Sequence, residues 1–465
     1  MTQTVPYIGT RGFTGERDFA GAILDGLAPD GGLYVPARWP DSGAAQAALK
    51  AGSYKDQVLA LLRLFGAGPL GETALEAAAE RTSQAFLKDG RTPLVQLEDD
   101  LWLLELFHGP THAFKDMAMQ MMAPLTAAAL AQRGEDLLLI TATSGDTGAA
   151  AVRAFGGTER IKLVVLHPHN RVSPVQRRQM TVDAPANVLN LAIEGDFDDC
   201  QQLVKTLLAD EDVRAAGAVS SVNSINWGRL LGQVPYYLAA AHASGVAQPD
   251  FVVPTGNFGD AFAGWIARKI GGSVGQLHAA VNQNDALARA LNDGVYRRTT
   301  AHPSASVSMD VQAPSNFERL VFEALDRDTA RTEALFATFV REGEVTLPAD
   351  ALAALRAEVS ASSVSEAQTA AMIQTAHQRW GQVVCPHTAV GLVAALARRE
   401  AGAGPQIVLA TAHAAKFPEA GEAALGRAPD APEALAALEN RPETFAICGP
   451  QTEGVRDRVL AHRRA

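Results

Sequence analysis

Three observations predict an α/β protein with mostly parallel sheets and flanking helices. Strand-length apolar runs alternate with helical segments, most plainly where DLLLITAT leads into SGDTG, the helical GAAAVRAFG and then KLVVLHP. Strand, helix, strand with short joins is the pattern of a parallel sheet covered on both faces. The 465 residues, 47% of them hydrophobic, suffice for two or three domains with cores of their own. No apolar run approaches the length of a membrane span.

In chain order, residues 1–92 read as a separate N-terminal domain ending near Pro93. RGFTGERDFAGAILDGLAPDGGLYVPARWP is dense in Gly and Pro, and LAPDGGLYVP predicts a turn into a short extended segment. SYKDQVLALLRLFG and TALEAAAERTSQAF place apolar residues three and four apart, so residues 53–88 are expected to be helical. Residues 93–465 then form a larger domain of two α/β subdomains. LWLLELF and ANVLNLAIEG are strands, DFDDCQQLVKTLLAD is a helix, and FVVPT runs through GNFGD into the helix AFAGWIARKIGG. Between about Asp285 and Gln382 the pattern turns mostly helical, as in TARTEALFATFVREG and ADALAALRAEVS, which predicts an insertion that closes like a lid. VVCPHTAVGLVAALARRE restores the α/β pattern, and QIVLATA leads into HAAKFPEAGEAALG. The last forty residues are expected to be a short helix and an irregular end.

The formal net charge of −11 argues against nucleic acid or an acidic membrane as partner. Cys200, Cys385 and Cys448 are odd in number, far apart and without metal-ligand spacing, so they read as reduced thiols. The start MTQTVPYIGTRG has no apolar signal core or basic n-region, and a cytoplasmic protein is expected. His108, His112, His387 and His413 make no ligand spacing, and no metal is expected. GxSxG, GxGxxG and GxxxxGK[ST] are all absent, which disfavours a hydrolase, a dinucleotide site and a P-loop.

Chemistry concentrates in ELFHGPTHAFKDMAMQ, where Lys115 follows a Gly109-Pro110-Thr111 break and opens an apolar helix. A helix N-terminus and apolar neighbours such as Phe114 and Met117 both favour the neutral amine, the form that attacks a carbonyl. Ser144-Gly145-Asp146-Thr147-Gly148 and Gly256-Asn257-Phe258-Gly259-Asp260 each join a strand to a helix. Their N–H groups predict two anion nests, expected in one sheet at the carboxyl ends of its strands, with Asp146 also suited to cap its helix. Thr411, ending QIVLAT, faces the same crevice, and Arg229 and Lys416 are candidate anion partners with Ser144 and Asn226 as helpers.

FHGPTHAFKD, TSGDTG, DFDDCQ, NSINWGRLLGQ, PTGNFGD and TAHAAKF, with the N-terminal YIGTRG and LAPDGGLYVP, resemble the long bacterial and fungal threonine synthases from residue 7 to about 420. The resemblance implies a fold-type II pyridoxal-phosphate enzyme, similar to the tryptophan synthase β chain and the serine and threonine dehydratases. It implies the cofactor pyridoxal 5'-phosphate, the substrate O-phospho-L-homoserine, and the products L-threonine and phosphate. Lys115 corresponds to the lysine that bonds the cofactor aldehyde, Gly256 to Asp260 to the cup for its phosphate, and Thr411 to the hydroxyl beside its ring nitrogen. Ser144, Gly145, Asp146 and Thr147 correspond to the loop that meets the substrate carboxylate and the ring. Gly9 and His112 depart from the family pattern, which has Ser at the first position and a small apolar residue or Leu at the second. A dehydratase is the nearest alternative, to be separated by a pocket for a second phosphate, and a catalytically silent binding protein is the other. The sequence leaves monomer or homodimer open.

Overall fold

The computed structural model describes residues 5–15, 17–43, 46 and 52–465. Two sheets dominate. The first has six strands in the order Val359–Ser363, Leu277–Val281, Asp250–Pro254, Gln406–Ala410, Leu101–Glu105 and Leu94–Glu98. All its pairings are parallel except the last, where Leu94–Glu98 runs antiparallel to Leu101–Glu105 at the edge. The second has five strands, all parallel, in the order Ala446–Cys448, Val188–Ile193, Ile161–Pro168, Leu137–Ala142 and Ala218–Ser220. Burial on both faces explains the unbroken apolar runs, since every residue of Leu137–Ala142 and Leu101–Glu105 is buried.

Three expectations are corrected. The two glycine loops do not share a sheet: SGDTG follows Leu137–Ala142 in the five-stranded sheet, and GNFGD follows Asp250–Pro254 in the six-stranded one. The crevice they flank therefore lies between two sheets. The 285–382 region does contain helices, but Ala349–Glu358 stops where Val359–Ser363 adds in parallel to Leu277–Val281. That strand of small and β-branched residues has a partner only in the folded chain, so a helical period ran on past its true end. The last forty residues are also more regular than expected. Ala446–Cys448 forms the edge of the five-stranded sheet, and a helix spans Thr452–Arg464.

The N-terminal elements pack directly onto the helix Lys115–Arg133. Ser53 and Asp56 close a reciprocal cap on Tyr54–Leu64, and from Glu72–Phe86 Arg81 Nε donates to Gln120 Oε1 at 2.8 Å. Tyr7, Trp39 and Phe65 gather around Trp227 with ring centroids 5.5, 6.2 and 5.7 Å away. Such aromatic contacts fix orientation beyond their buried area, and Trp227 opens the short helix Trp227–Leu231 that carries Arg229.

Candidate active site

Lys115 is the first residue of its helix, as the sequence predicts. The turn before it is closed by buried Asp116, which accepts from Thr111 N at 2.8 Å and from Thr111 Oγ1 at 2.7 Å. His112 sits in that turn with φ of 56°, and Phe114 N donates to Thr411 O at 2.8 Å, which ties Lys115 to the end of Gln406–Ala410. The amine lies 3.6 Å from Asp146 Oδ2 and 4.6 Å from the Phe114 ring centre. Burial lowers its pKa; Asp146 opposes the shift, while Arg229 and Lys416 reinforce it. A buried amine with a lowered pKa is the nucleophile that carbonyl chemistry requires.

The SGDTG loop is organised from beneath by Thr143, whose Oγ1 accepts from Gly145 N and Gly148 N, both at 2.9 Å. Two of the loop's N–H groups are thereby taken, and those of Asp146 and Thr147 in the first turn remain as its donors. Gly145 has φ of 137°, and a Cβ there would meet the Gln176 side chain at 2.4 Å, so no other residue fits. Asp146 does not cap its helix. Its carboxylate is turned to Lys416 Nζ at 2.8 Å and to Gln176 Nε2 at 2.8 Å. Burial alone would raise its pKa, but Lys416, Lys115 and these hydrogen bonds hold it well below the usual carboxylate range.

In the GNFGD loop Phe258 takes the left-handed conformation, φ 62°, and the helix Gly259–Lys269 follows. A Cβ on Gly256 would lie 2.4 Å from the carbonyl oxygen of Ser308. Asn257 O accepts from Asn316 N at 3.1 Å and Nδ2 at 3.2 Å, which pins the carbonyl side of the loop. The Asp260 carboxyl is turned to the hydroxyls of Tyr236 and Tyr237, and burial pushes its pKa up to about 6. Its side chain is thus engaged by the two tyrosines, and what it offers a ligand in this loop is its backbone.

One cleft of about 220 Å³ is lined by Lys115, Ser144, Asp146, Thr147, Arg229, Thr411 and the whole run Gly256 to Asp260. Arg229 is 2% exposed, donates from Nη1 to Val222 O at 2.8 Å, and leaves Nε without a partner. Burial lowers its pKa to about 10, so it remains a cation, and no carboxylate of the described residues pairs with it. One predicted helper, Asn226, and one predicted cation, Lys416, are not brought to the cleft. Asn226 caps the helix of Arg229, accepting from Gly228 N at 3.0 Å and donating to Ile23 O at 2.8 Å. Lys416 is 0% exposed and committed to Asp146 and to Thr111 O. Sequence reasoning missed Gln176, Asn223, Ser308 and the role of His387 as a lining residue. Asn223 accepts from Thr141 Oγ1 at 2.8 Å, and His387 Nε2 accepts from Ser308 N at 3.2 Å. Only Asn223 had a local signal, six residues ahead of Arg229 in the same motif.

These residues fit pyridoxal phosphate. Gly256, packed where no side chain can stand, brings bare backbone to the cleft, and the buried Lys115 amine and the Arg229 guanidinium line the same cleft. Among the described residues no group of three His, Cys, Asp or Glu side chains can hold a metal, and no helix is long and apolar enough to cross a membrane.

Comparison with known proteins agrees. A family model described as pyridoxal-phosphate dependent enzyme matches residues 85–412. Models of the threonine synthase N terminus and C-terminal region match residues 6–83 and 388–459. The threonine synthase of Pseudomonas aeruginosa is 41% identical over 460 residues, 98% of each chain. The crystal structure of a pyridoxal-phosphate-bound threonine synthase from Brucella melitensis superposes with a TM-score of 0.93 at 43% identity, covering 99% of this chain and 100% of that one. The yeast threonine synthase structure gives 0.90 at 31% identity over 99% of both.

Proposed function

This chain belongs to the threonine synthase family of pyridoxal-phosphate-dependent lyases, and from that membership we propose that it converts O-phospho-L-homoserine and water into L-threonine and inorganic phosphate. The observation that carries the choice of substrate is Arg229, a buried cation without a carboxylate partner among the described residues, which lines the same cleft as Lys115. A dehydratase acting on free serine or threonine has no second phosphate to meet it. Residues 1–92 are read as the N-terminal domain and 93–465 as the catalytic one. Three buried free thiols support a reducing, cytoplasmic setting.

When bound, pyridoxal phosphate supplies the electron sink for the carbons beside the substrate amine. Backbone N–H groups of Gly256 to Asp260 hold its phosphate, and the Thr411 hydroxyl meets its ring nitrogen as a neutral partner. Lys115 would hold the cofactor through its aldehyde, and its amine of lowered pKa would move the protons at Cα and Cβ of the substrate as a general base. The loop Ser144, Gly145, Asp146 and Thr147 orients the substrate carboxylate, with the first-turn N–H groups of Asp146 and Thr147 as its donors. The Arg229 guanidinium takes up the charge of the departing phosphate. The buried walls keep bulk solvent from the reacting carbons.

The test is product stoichiometry. Purified holoenzyme given O-phospho-L-homoserine is expected to release phosphate and threonine in equal amounts. Lys115→Ala should retain cofactor noncovalently yet lose about 10²- to 10⁴-fold in turnover, the range of a positioned general base. Ammonia from serine or threonine as the main product, or full activity in the variant, sinks the proposal.

A further inference from the structure

We propose that Lys416 is a positioning residue for this reaction: its ammonium fixes one oxygen of Asp146, so that the other faces the Lys115 amine. The inference rests on the reading of Lys115 given above. Lys416 lies outside the cleft lining and is fully buried. Its Nζ is 2.8 Å from Asp146 Oδ1 and donates to Thr111 O at 2.6 Å. Gln176 Nε2 donates to the same Oδ1 at 2.8 Å. One carboxylate oxygen is thus held by two donors from separate elements, and Oδ2 is left 3.6 Å from Lys115 Nζ.

The second bond of Lys416 matters equally. Thr111 belongs to the turn that delivers Lys115, so a single ammonium ties that turn to the acid facing its amine. A cation that gripped the leaving phosphate would need its donors in the cleft, whereas two of the three N–H groups of Lys416 are used away from it. Asp146, Arg229, Lys416, Asp260 and His387 are the charged or titratable groups whose charges act on Lys115 or feel it. Lys416 in turn acts on Asp116, His112 and His413 as well as on Asp146. Neutralising Lys416 removes a like charge from Lys115 and leaves Asp146 with Lys115 as its remaining ion-pair partner. Both changes favour a proton on the Lys115 nitrogen. Neutralising Asp146 does the opposite.

The experiment uses holoenzyme of the wild type, Lys416→Met, Lys416→Arg and Asp146→Asn. It reads the pH midpoint of the visible cofactor band alongside kcat and KM for O-phospho-L-homoserine. In Lys416→Met the midpoint should rise by about one unit or more, the effect of a charge at this range. Its kcat should fall about tenfold or more with KM within about threefold, as expected when positioning and not substrate binding is lost. Lys416→Arg should restore the midpoint, and Asp146→Asn should lower it. A Lys416→Met midpoint that stays in place while KM rises about tenfold would make Lys416 a direct phosphate contact and overturn the proposal. Should Lys416→Met not fold, Lys416→Gln is read in its place: a raised midpoint with little change in KM supports the clamp, and an unmoved midpoint overturns it. Equal phosphate and threonine release by the wild type is read separately, so failure of the functional reading and failure of the clamp are distinct results.

Discussion

At the residue scale the cleft is governed by burial acting on titratable groups in opposite senses. Lys115 and Arg229 are pushed down, Asp260 is pushed up to about 6, and Asp146 is held down by its cations. His387 extends the pattern, with burial taking it to about 4 from an ordinary 6.5. Its Nε2 must be unprotonated to accept from Ser308 N, so protonation releases the strand of chain that carries Ser308 into the cleft. A base whose folded pKa is depressed adds stability above its unfolded pKa and loses it as pH falls toward the folded value. The stability difference between wild type and His387→Gln should therefore be largest above about 6.5 and shrink as pH falls to about 4. Denaturant unfolding of both proteins across that window checks it; a difference independent of pH counts against it.

At the element scale each glycine loop works because a neighbouring segment is packed against its backbone. Gly256 meets Ser308 O and Gly145 meets Gln176, and both partners come from parts of the chain far from the loops in sequence. A methyl group at Gly256 has to displace a carbonyl oxygen, and overpacking of this kind costs about 1–3 kcal/mol. Gly256→Ala is expected to weaken cofactor retention about tenfold or more, since 1.4 kcal/mol is tenfold in affinity. Gly404→Ala, where an added Cβ meets nothing within 4 Å, is the control and should bind cofactor normally. Equilibrium dialysis of the cofactor against both variants gives the comparison, and equal affinities would remove Ser308 from the wall of the site.

At the scale of the whole molecule the N-terminal segment is wired to both halves of the cleft through two adjacent residues. Glu318 receives Thr10 Oγ1 at 2.6 Å and Arg11 in a two-pronged contact at 2.9 and 2.7 Å. Arg319, fully buried, donates to Tyr34 O at 3.0 Å and to Ile225 O at 2.7 Å, and also bonds Asn316, which holds Asn257 O. Ile225 precedes the helix of Arg229, and Asn257 belongs to the GNFGD loop. Loosening the N-terminal segment should therefore loosen the cofactor. Arg11→Met strips Glu318 of a charged hydrogen-bond partner, a loss of about 1.5–3 kcal/mol. It is expected to lower the melting temperature and cofactor affinity together; a drop in melting temperature with unchanged affinity would show the N-terminal segment to be independent of the cleft.

The sequence by itself determined the parts that rest on near neighbours. A Gly-Pro break followed by an apolar helix sets Lys115 at a helix start, and strand, glycine loop, helix twice over sets the two glycine turns, because these are governed by local backbone chemistry. Long motifs also made the family and its cofactor legible. Only the tertiary structure decided that the two loops stand on different sheets, and that Val359–Ser363 and Ala446–Cys448 are strands, because a sheet edge exists only once its partner is in place. It likewise decided between two cations that look alike in sequence: Arg229 lines the cleft without a carboxylate partner among the described residues, and Lys416 is consumed by Asp146 and Thr111. Whether a buried charge is free or paired depends on groups hundreds of residues away, and no local pattern encodes that distance.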